Sequence, residues 1–325
     1  MKRGAGRAPW RSLATEAANR RSRDLDLLGI PGVVALMQSE DLRMLRAVSR
    51  ARRQIARAAA LVRTAYASGR NCVLFGAGTS GRLAVIEAAE LPPTFGTDPR
   101  RVRAVIAGGP RAVFRAREGA EDRGDEGARG ASRLREGDVA IGISASSVTP
   151  FVRGALKRAR ERGAASVLVT ASRSPGVQSL AEILIVLDVG PEVLAGSTRL
   201  KAGTATKLAL NQITTAAFAS AGRVYGPWMV DLRAGSAKLK DRSLRIVAAA
   251  CGVSPRRARA LLDRAGGEVK TAIVAGKRKI SAAAARKRLA SAGGDLRRAL
   301  AERARNGIRV APGRHRRSSL SMGVL

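Results

Sequence analysis

Short apolar runs that end in Gly, Ser or Thr and lead into helix-forming stretches recur through the middle of this chain, and few folds accommodate that pattern. CVLFG, from Cys72, opens onto GAGTSGR. Val102 to Ala107 ends in Gly108-Gly109-Pro110, and DVAIGI runs through SASSVTP into the helical TPFVRGALKRARERGA. SVLVTA, a short helical stretch near Val177 to Ala181, and EILIVLD follow. Strands covered on both faces lose apolar–polar alternation, and alternation of such strands with helices implies parallel pairing. The expected fold is therefore α/β, a three-layer sandwich around a parallel sheet. Ligands of such folds sit beyond the carboxyl ends of the strands, where these turns fall.

The flanks read differently. From Ser39 to about Tyr66 apolar and charged positions recur at helical spacing, and Gly69 stops that helix. The helix after CVLFGAG opens near Ser80 and is broken at Pro92-Pro93, while residues 111–136 read as an exposed helix and loop. Residues 192–224 are helical in their second half. From about Asp241 the chain changes to short Ala/Arg-rich helices, with Ser254-Pro255 and Ser281 as helix starts and Gly266-Gly267, Gly276 and Gly293-Gly294 as separators. The expected division is a basic extension over 1–11, an α/β unit with an N-terminal helical region over 12–240, a small helical domain over 241–303 and a loose basic tail over 304–325. Leu27 to Met37 is too short for a membrane span and is interrupted by Gly29-Ile30-Pro31-Gly32, and the basic N-terminus is not followed by an apolar signal region. The expectation is a cytoplasmic protein with no membrane partner.

Composition narrows the chemistry. The one histidine, His315, lies in the Arg-rich tail, which removes a Ser-His-Asp triad and a multi-histidine metal site from consideration. Cys72 and Cys251 form no metal-ligand pattern and sit in apolar surroundings, as reduced core thiols do. The net charge of +35 attracts anions, but the basic residues are spread along most of the chain and only 3% of residues are aromatic. That leaves no evident stacking platform for nucleic acid, so the expected nucleic-acid binding is nonspecific electrostatic attraction. An Arg-rich surface equally suits a phosphate-bearing substrate.

Three segments are suited to anions or sugars. Gly76 to Arg82 brings glycines, the Thr79 and Ser80 hydroxyls and a helix N-terminus together, without the dinucleotide fingerprint or a P-loop lysine. Ser144, Ser146 and Thr149 form a second hydroxyl cluster before a helix, readable either as a ligand site or as a capped loop. Ser197, Thr198, Arg199 and Lys201 either neutralise a phosphate or decorate a surface. Among the carboxylates, Glu87 and Glu90 share a helix face at i,i+3, and Glu118, Glu121 and Asp122 form a separate acidic island. Two carboxylates in unequal environments serve as acid and base, and without histidine they are the economical proton-transfer pair; a surface role stays open for each.

Longer runs carry a resemblance. GAGTSGRLAVIEAAELPPTFG, IAGGP, REGAED, GPEVLAGSTRLKAGTATKLALNQITTAA, GRVYGPWMVDL and KLKDRSLRIV make residues 12–300 similar to the N-acetylmuramic acid 6-phosphate etherases of the sugar-isomerase-domain superfamily, relatives of the glucokinase regulatory protein. The resemblance implies a lyase that eliminates D-lactate from the open-chain sugar and rehydrates the product, with no cofactor and no metal. It implies Glu121 as the base at C2 and Glu90 as the acid on the departing ether oxygen, with Thr79, Ser80, Ser144, Ser146, Thr149, Ser197, Thr198, Arg199, Lys201, Glu16 and Asn19 binding substrate. A homodimer with sites near the interface and a ubiquitin-associated-like C-terminal domain are also implied. Three segments depart: Ala18 stands for Arg in TEAANRRSRDLD, Ser147-Val148 replace the Gly-Arg of SGRTP, and Ser236 stands for Asn. They keep a non-catalytic sugar-phosphate-binding protein, or an enzyme on another sugar phosphate, as the alternative.

Overall fold

The computed structural model describes residues 13–174, 176–232 and 235–301. The basic extension and tail, with His315, lie outside the described residues. The sheet contains β1 (Cys72–Gly76), β2 (Val102–Ile106), β3 (Val139–Ile143), β4 (Ala165–Thr170) and β5 (Ile183–Val186), all parallel in the order β2-β1-β3-β4-β5. The chain goes from β1 outward to β2, then returns to place β3 on the other side of β1. The strand order therefore reverses between β1 and β3, and the crevice of a doubly wound sheet opens there.

Strand side chains alternate between two cores. Cys72 and Leu74, with Ile141, Ile143, Val167 and Val169, pack under α1 (Ile30–Arg50), α2 (Arg52–Ala67), α3 (Gly78–Phe95) and α6 (Lys201–Phe218). Val73, Phe75, Ala140 and Leu168 face the other way, onto α4 (Gly124–Ala131) and α5 (Pro150–Glu161). These are the three layers expected from the sequence. Burial pushes the Cys72 thiol up to about 12, helped by the Asp138 carboxylate, so it stays a protonated core group. Burial also raises the half-buried Cys251 thiol, and both cysteines are free.

A hairpin of β6 (Val224–Tyr225) and β7 (Trp228–Met229) leads to α7 (Ala237–Cys251), α8 (Pro255–Arg264), α9 (Val269–Arg278), α10 (Ala282–Ser291) and α11 (Leu296–Leu300). These helices share a small core of Ala, Leu, Ile and Val with Val230 and Leu232. Ser254 and Ser281 cap α8 and α10 through their side-chain oxygens. Among the described residues no helix is long and apolar enough to cross a membrane.

Several local expectations are corrected. The first helical region is two helices that part at Ala51, and it begins at Ile30, since Pro31 occupies the first turn, where no N–H is needed. Helix α3 opens at Gly78 and runs through Pro92-Pro93 to Phe95. The lost N–H groups are offset by the burial of Leu91 and Phe95, whose ring stacks on Phe218 with centroids 5.2 Å apart. The stop comes at Gly96, whose left-handed backbone closes the helix on the Pro92 carbonyl. The 111–136 stretch is less exposed than expected, because α4 packs on α5 and buries Ala131. Gly276 separates nothing: it lies inside α9, where a Cβ would meet Leu261 Cδ1 at 2.8 Å and Cys251 Sγ at 3.0 Å.

Candidate functional site

The reversal of strand order places the turn after β1 beside the turn after β3, and a cavity of about 320 Å³ opens over both. The first turn is tight because β1 meets α3 within one residue. A Cβ on Gly81 would stand 2.5 Å from Ile106 Cγ1 and 2.7 Å from the Gly76 carbonyl oxygen. Ala77 offers no side-chain cap, so the first N–H groups of α3, with Thr79 and Ser80, face the cavity. Helix α5 is built alike: Pro150 starts it, no side chain caps it, and Ser146 and Thr149 line the cavity. Two open helix N-termini with hydroxyls make an anion cradle.

The second loop is held firmly. Ser144 lies buried behind it, 2.8 Å from Thr149 Oγ1. Ser147 adopts the left-handed backbone (φ 63°) that favours glycine. Its Oγ lies 2.7 Å from Ser174 Oγ, its carbonyl accepts from Arg153 Nε at 3.1 Å, and the residue is buried.

The third wall comes from the loop before α6 and the N-terminal segment. Glu192, fully buried, accepts the N–H groups of Lys201 and Ala202 at 3.0 and 2.9 Å and so caps α6. Burial pushes the Glu192 carboxyl up, against those two hydrogen bonds. Gly196 N donates to the Thr15 carbonyl at 3.0 Å, which puts Glu16 and Thr198 on the cavity. Behind them Glu40 accepts from Lys201 Nζ at 2.5 Å, Arg21 at 2.7 Å and Asn19 at 2.9 Å. Burial alone would raise the Glu40 carboxyl; the hydrogen bonds from Lys201 and Arg21 outweigh it and hold it at about 2.

Of the residues chosen from the sequence, Glu16, Thr79, Ser80, Glu121, Ser146, Thr149 and Thr198 meet on this one cavity. Ser144 supports Thr149 from behind, and Asn19 and Lys201 belong to the Glu40 cluster instead of the cavity wall. Ser197 is half-buried and Arg199 exposed, neither on the wall. Glu90 is exposed on α3, outside the cavity of its own chain. Its neighbour Glu87 is buried, takes hydrogen bonds from Thr214 Oγ1 (2.5 Å) and Asn211 Nδ2 (2.9 Å), and is pushed up by burial. The cavity is also lined by Glu118, which the sequence names in its acidic island, by Arg82, which it names only as the end of the first turn, and by Arg117, which sequence reasoning misses. The signal was present, since they stand in the GTSGR and REGAED runs. Two of the departures lie elsewhere: Ala18 is exposed off the cavity, and Val148 faces an outer groove with Pro150 and Arg153. Ser236 caps α7 by accepting from Leu239 N.

The sequence is similar to those of known proteins. Residues 54–160 match the family model of the glucokinase regulatory protein N-terminal SIS domain. The N-acetylmuramic acid 6-phosphate etherase of Rubrobacter xylanophilus is 46% identical over 81% of this chain and 88% of its own length. That of Geobacillus thermodenitrificans is 45% identical over 81% and 90%, and that of Microcystis aeruginosa 43% identical over 90% and 97%. With relatives this similar aligned over most of their length, the chain belongs to the N-acetylmuramic acid 6-phosphate etherase family.

Proposed function

We propose that this chain is a carbon–oxygen lyase that releases D-lactate from N-acetylmuramic acid 6-phosphate and yields N-acetylglucosamine 6-phosphate. The observation that carries the reading is the meeting of two open helix N-termini and the carboxylate of Glu121 on one cavity. The helix ends with Thr79, Ser80, Ser146 and Thr149 suit the phosphate. Glu121 takes the C2 proton, which the C1 aldehyde of the open-chain sugar acidifies. The electron pair left at C2 forms the C2–C3 double bond as the C3–O bond breaks. The departing lactyl oxygen takes a proton from a carboxylic acid, and water then adds at C3. Each positioned acid or base is worth roughly 10²–10⁴ in rate.

We assign the acid to Glu90, supplied by a second copy of the chain. Its exposure, beside an Ile86 that is 51% exposed on the same helix, supports a homodimer with sites near the interface. The same position motivates the second reading, a non-catalytic sugar-phosphate binder.

Enzymatic detection of D-lactate separates the two. Release by the wild type that falls at least 100-fold in Glu121→Gln and Glu90→Gln supports the lyase. Saturable binding of the sugar phosphate without lactate supports the binder, and wild-type turnover in both variants rejects the assignment of these carboxylates.

A further inference from the structure

We propose that Arg117 is a specificity-determining residue that reads the carboxylate of the ether-linked acid. The inference rests on the lyase reading and names the side chain that meets one group of that substrate. The substrate carries two anions well apart along the sugar, a phosphate on C6 and the lactyl carboxylate on O3. The cavity has two arginines on different elements. Arg82 is on α3, close in sequence to Thr79 and Ser80, and its Nε donates to the Val113 carbonyl at 2.8 Å. Arg117 comes from the segment after β2, and its Nη1 donates to the Gly108 carbonyl at 3.1 Å. Among the described residues neither makes an ion pair.

Arg117 also lines a second cavity of about 450 Å³, which shares Glu118 and Ala120 with the first and none of the four cradle hydroxyls. Arg123 of that cavity is matched by Glu126 at 3.0 Å, so Arg117 is the unmatched cation at the junction. Arg117 is exposed at its tip, and its stem rests on Gly108. Gly108 is left-handed (φ 79°), and a Cβ there would stand 3.1 Å from Arg117 Cδ and 3.2 Å from its Cβ. One of the guanidinium N–H groups is used on the Gly108 carbonyl, leaving a fork for a carboxylate. Glu118 and Glu121 stand on the same wall, where a substrate carboxylate would be repelled without a cation between them. The phosphate end therefore belongs to the helix N-termini and Arg82, and the lactyl end to Arg117 and the second cavity.

The test compares two ligands that differ in the lactyl group. Calorimetry gives Kd for N-acetylmuramic acid 6-phosphate and for N-acetylglucosamine 6-phosphate in a Glu121→Gln background, which keeps the muramic ligand from being consumed, with no further change and with Arg117→Gln, Arg117→Lys or Arg82→Gln added. Arg117→Gln should weaken the muramic ligand about 10- to 100-fold and the glucosamine ligand less than about twofold, and Arg117→Lys should recover part of the loss. Arg82→Gln should weaken both. Equal losses for the two ligands in Arg117→Gln, or no loss for either, overturn the proposal. Failure of the lyase reading looks different: a wild type that binds both ligands and releases no lactate leaves the Kd comparison to decide Arg117, whereas one that binds neither removes both.

Discussion

Among the described residues two lysines are buried, each against a carboxylate, and their surroundings differ instructively. Lys201 meets Glu40 at 2.5 Å beside the cavity, and both side chains are almost fully enclosed. Lys270 meets Asp231 at 2.6 Å where the C-terminal helices join the rest, and the two are somewhat less enclosed, at 10% and 17% exposed. Glu40 also holds Arg21 and Arg43, at 2.7 and 3.3 Å, and takes a bond from Asn19. Asp231 has one further cation, Arg223, at 3.2 Å, and Lys270 also donates to the Gly294 carbonyl. Burying charge costs more than it returns unless the partners are complete, so the denser cluster needs a local reason to exist. That reason is position: through Asn19 and Lys201 the cluster ties the N-terminal segment, whose Glu16 lines the cavity, to the start of α6, three residues past the lining Thr198.

The largest expected effect breaks this comparison open. Glu40→Gln leaves the enclosed Lys201 ammonium an amide oxygen and the Val189 carbonyl but no counter-charge, and should cost about 3–5 kcal/mol. It should also weaken sugar-phosphate binding, because Glu16 and Thr198 lose their common anchor. Asp231→Asn leaves Lys270 an amide oxygen and the Gly294 carbonyl in a less enclosed site, and should cost about 1–3 kcal/mol with binding unchanged. Denaturant melts with calorimetric titration of each variant check the pair. Equal loss of affinity in both would show that neither cluster is dedicated to the site.

A smaller effect separates the two by pH. The Glu40 carboxyl is held at about 2 against an ordinary 4.5, so its contribution is complete above about pH 4.5 and is lost as pH falls through about 2. Burial lowers the Lys270 ammonium, against the pull of Asp231. The folded state then sheds that proton before the unfolded chain does, and stability rises with pH between the depressed value and the ordinary 10.5. Both slopes have one sign but occupy opposite ends of the scale. Against wild type, Glu40→Gln should flatten the acid limb alone and Lys270→Met the alkaline limb alone, in melting temperatures recorded across pH. A change in the other limb would refute the separation.

The comparison also shows what sequence reading reached. The strands, the two hydroxyl turns and their gathering at one end of the sheet were legible because each rests on local pattern, such as CVLFG before GAGTSGR. Lys201 reads in sequence as a phosphate ligand or a surface charge because its own charge is visible there, whereas its counter-charge, Glu40, stands 161 residues away and is brought in by α1 packing on α6. Pro92-Pro93 was read as a break because local chemistry says so, and the burial of Leu91 and Phe95 that overrides it is tertiary. Gly276 looked like a separator for the same reason. Arg117 was missed in plain view, since nothing in REGAED tells which of its residues turns toward a cavity.

The smallest effect asks whether a site loop can be held without an ion pair. Ser147 pays for a left-handed backbone that glycine adopts freely, about 1 kcal/mol or more. Against that cost stand its hydroxyl contact with Ser174 at 2.7 Å and the shared guanidinium of Arg153, whose Nη2 reaches Ser174 Oγ at 3.4 Å. Ser147→Gly removes the strain and the hydroxyl together, so the two terms should nearly cancel and stability should move by less than about 1 kcal/mol. Ser147→Ala keeps the strain and loses the contact, and should cost about 1–2 kcal/mol. If the hydroxyl staple aligns Ser146 and Thr149, both variants should bind a sugar phosphate a few-fold more weakly despite their different stabilities. If the left-handed backbone alone sets the loop, Ser147→Gly should bind as wild type does, and the charged Glu40 cluster would then be the one latch whose loss reaches the cavity.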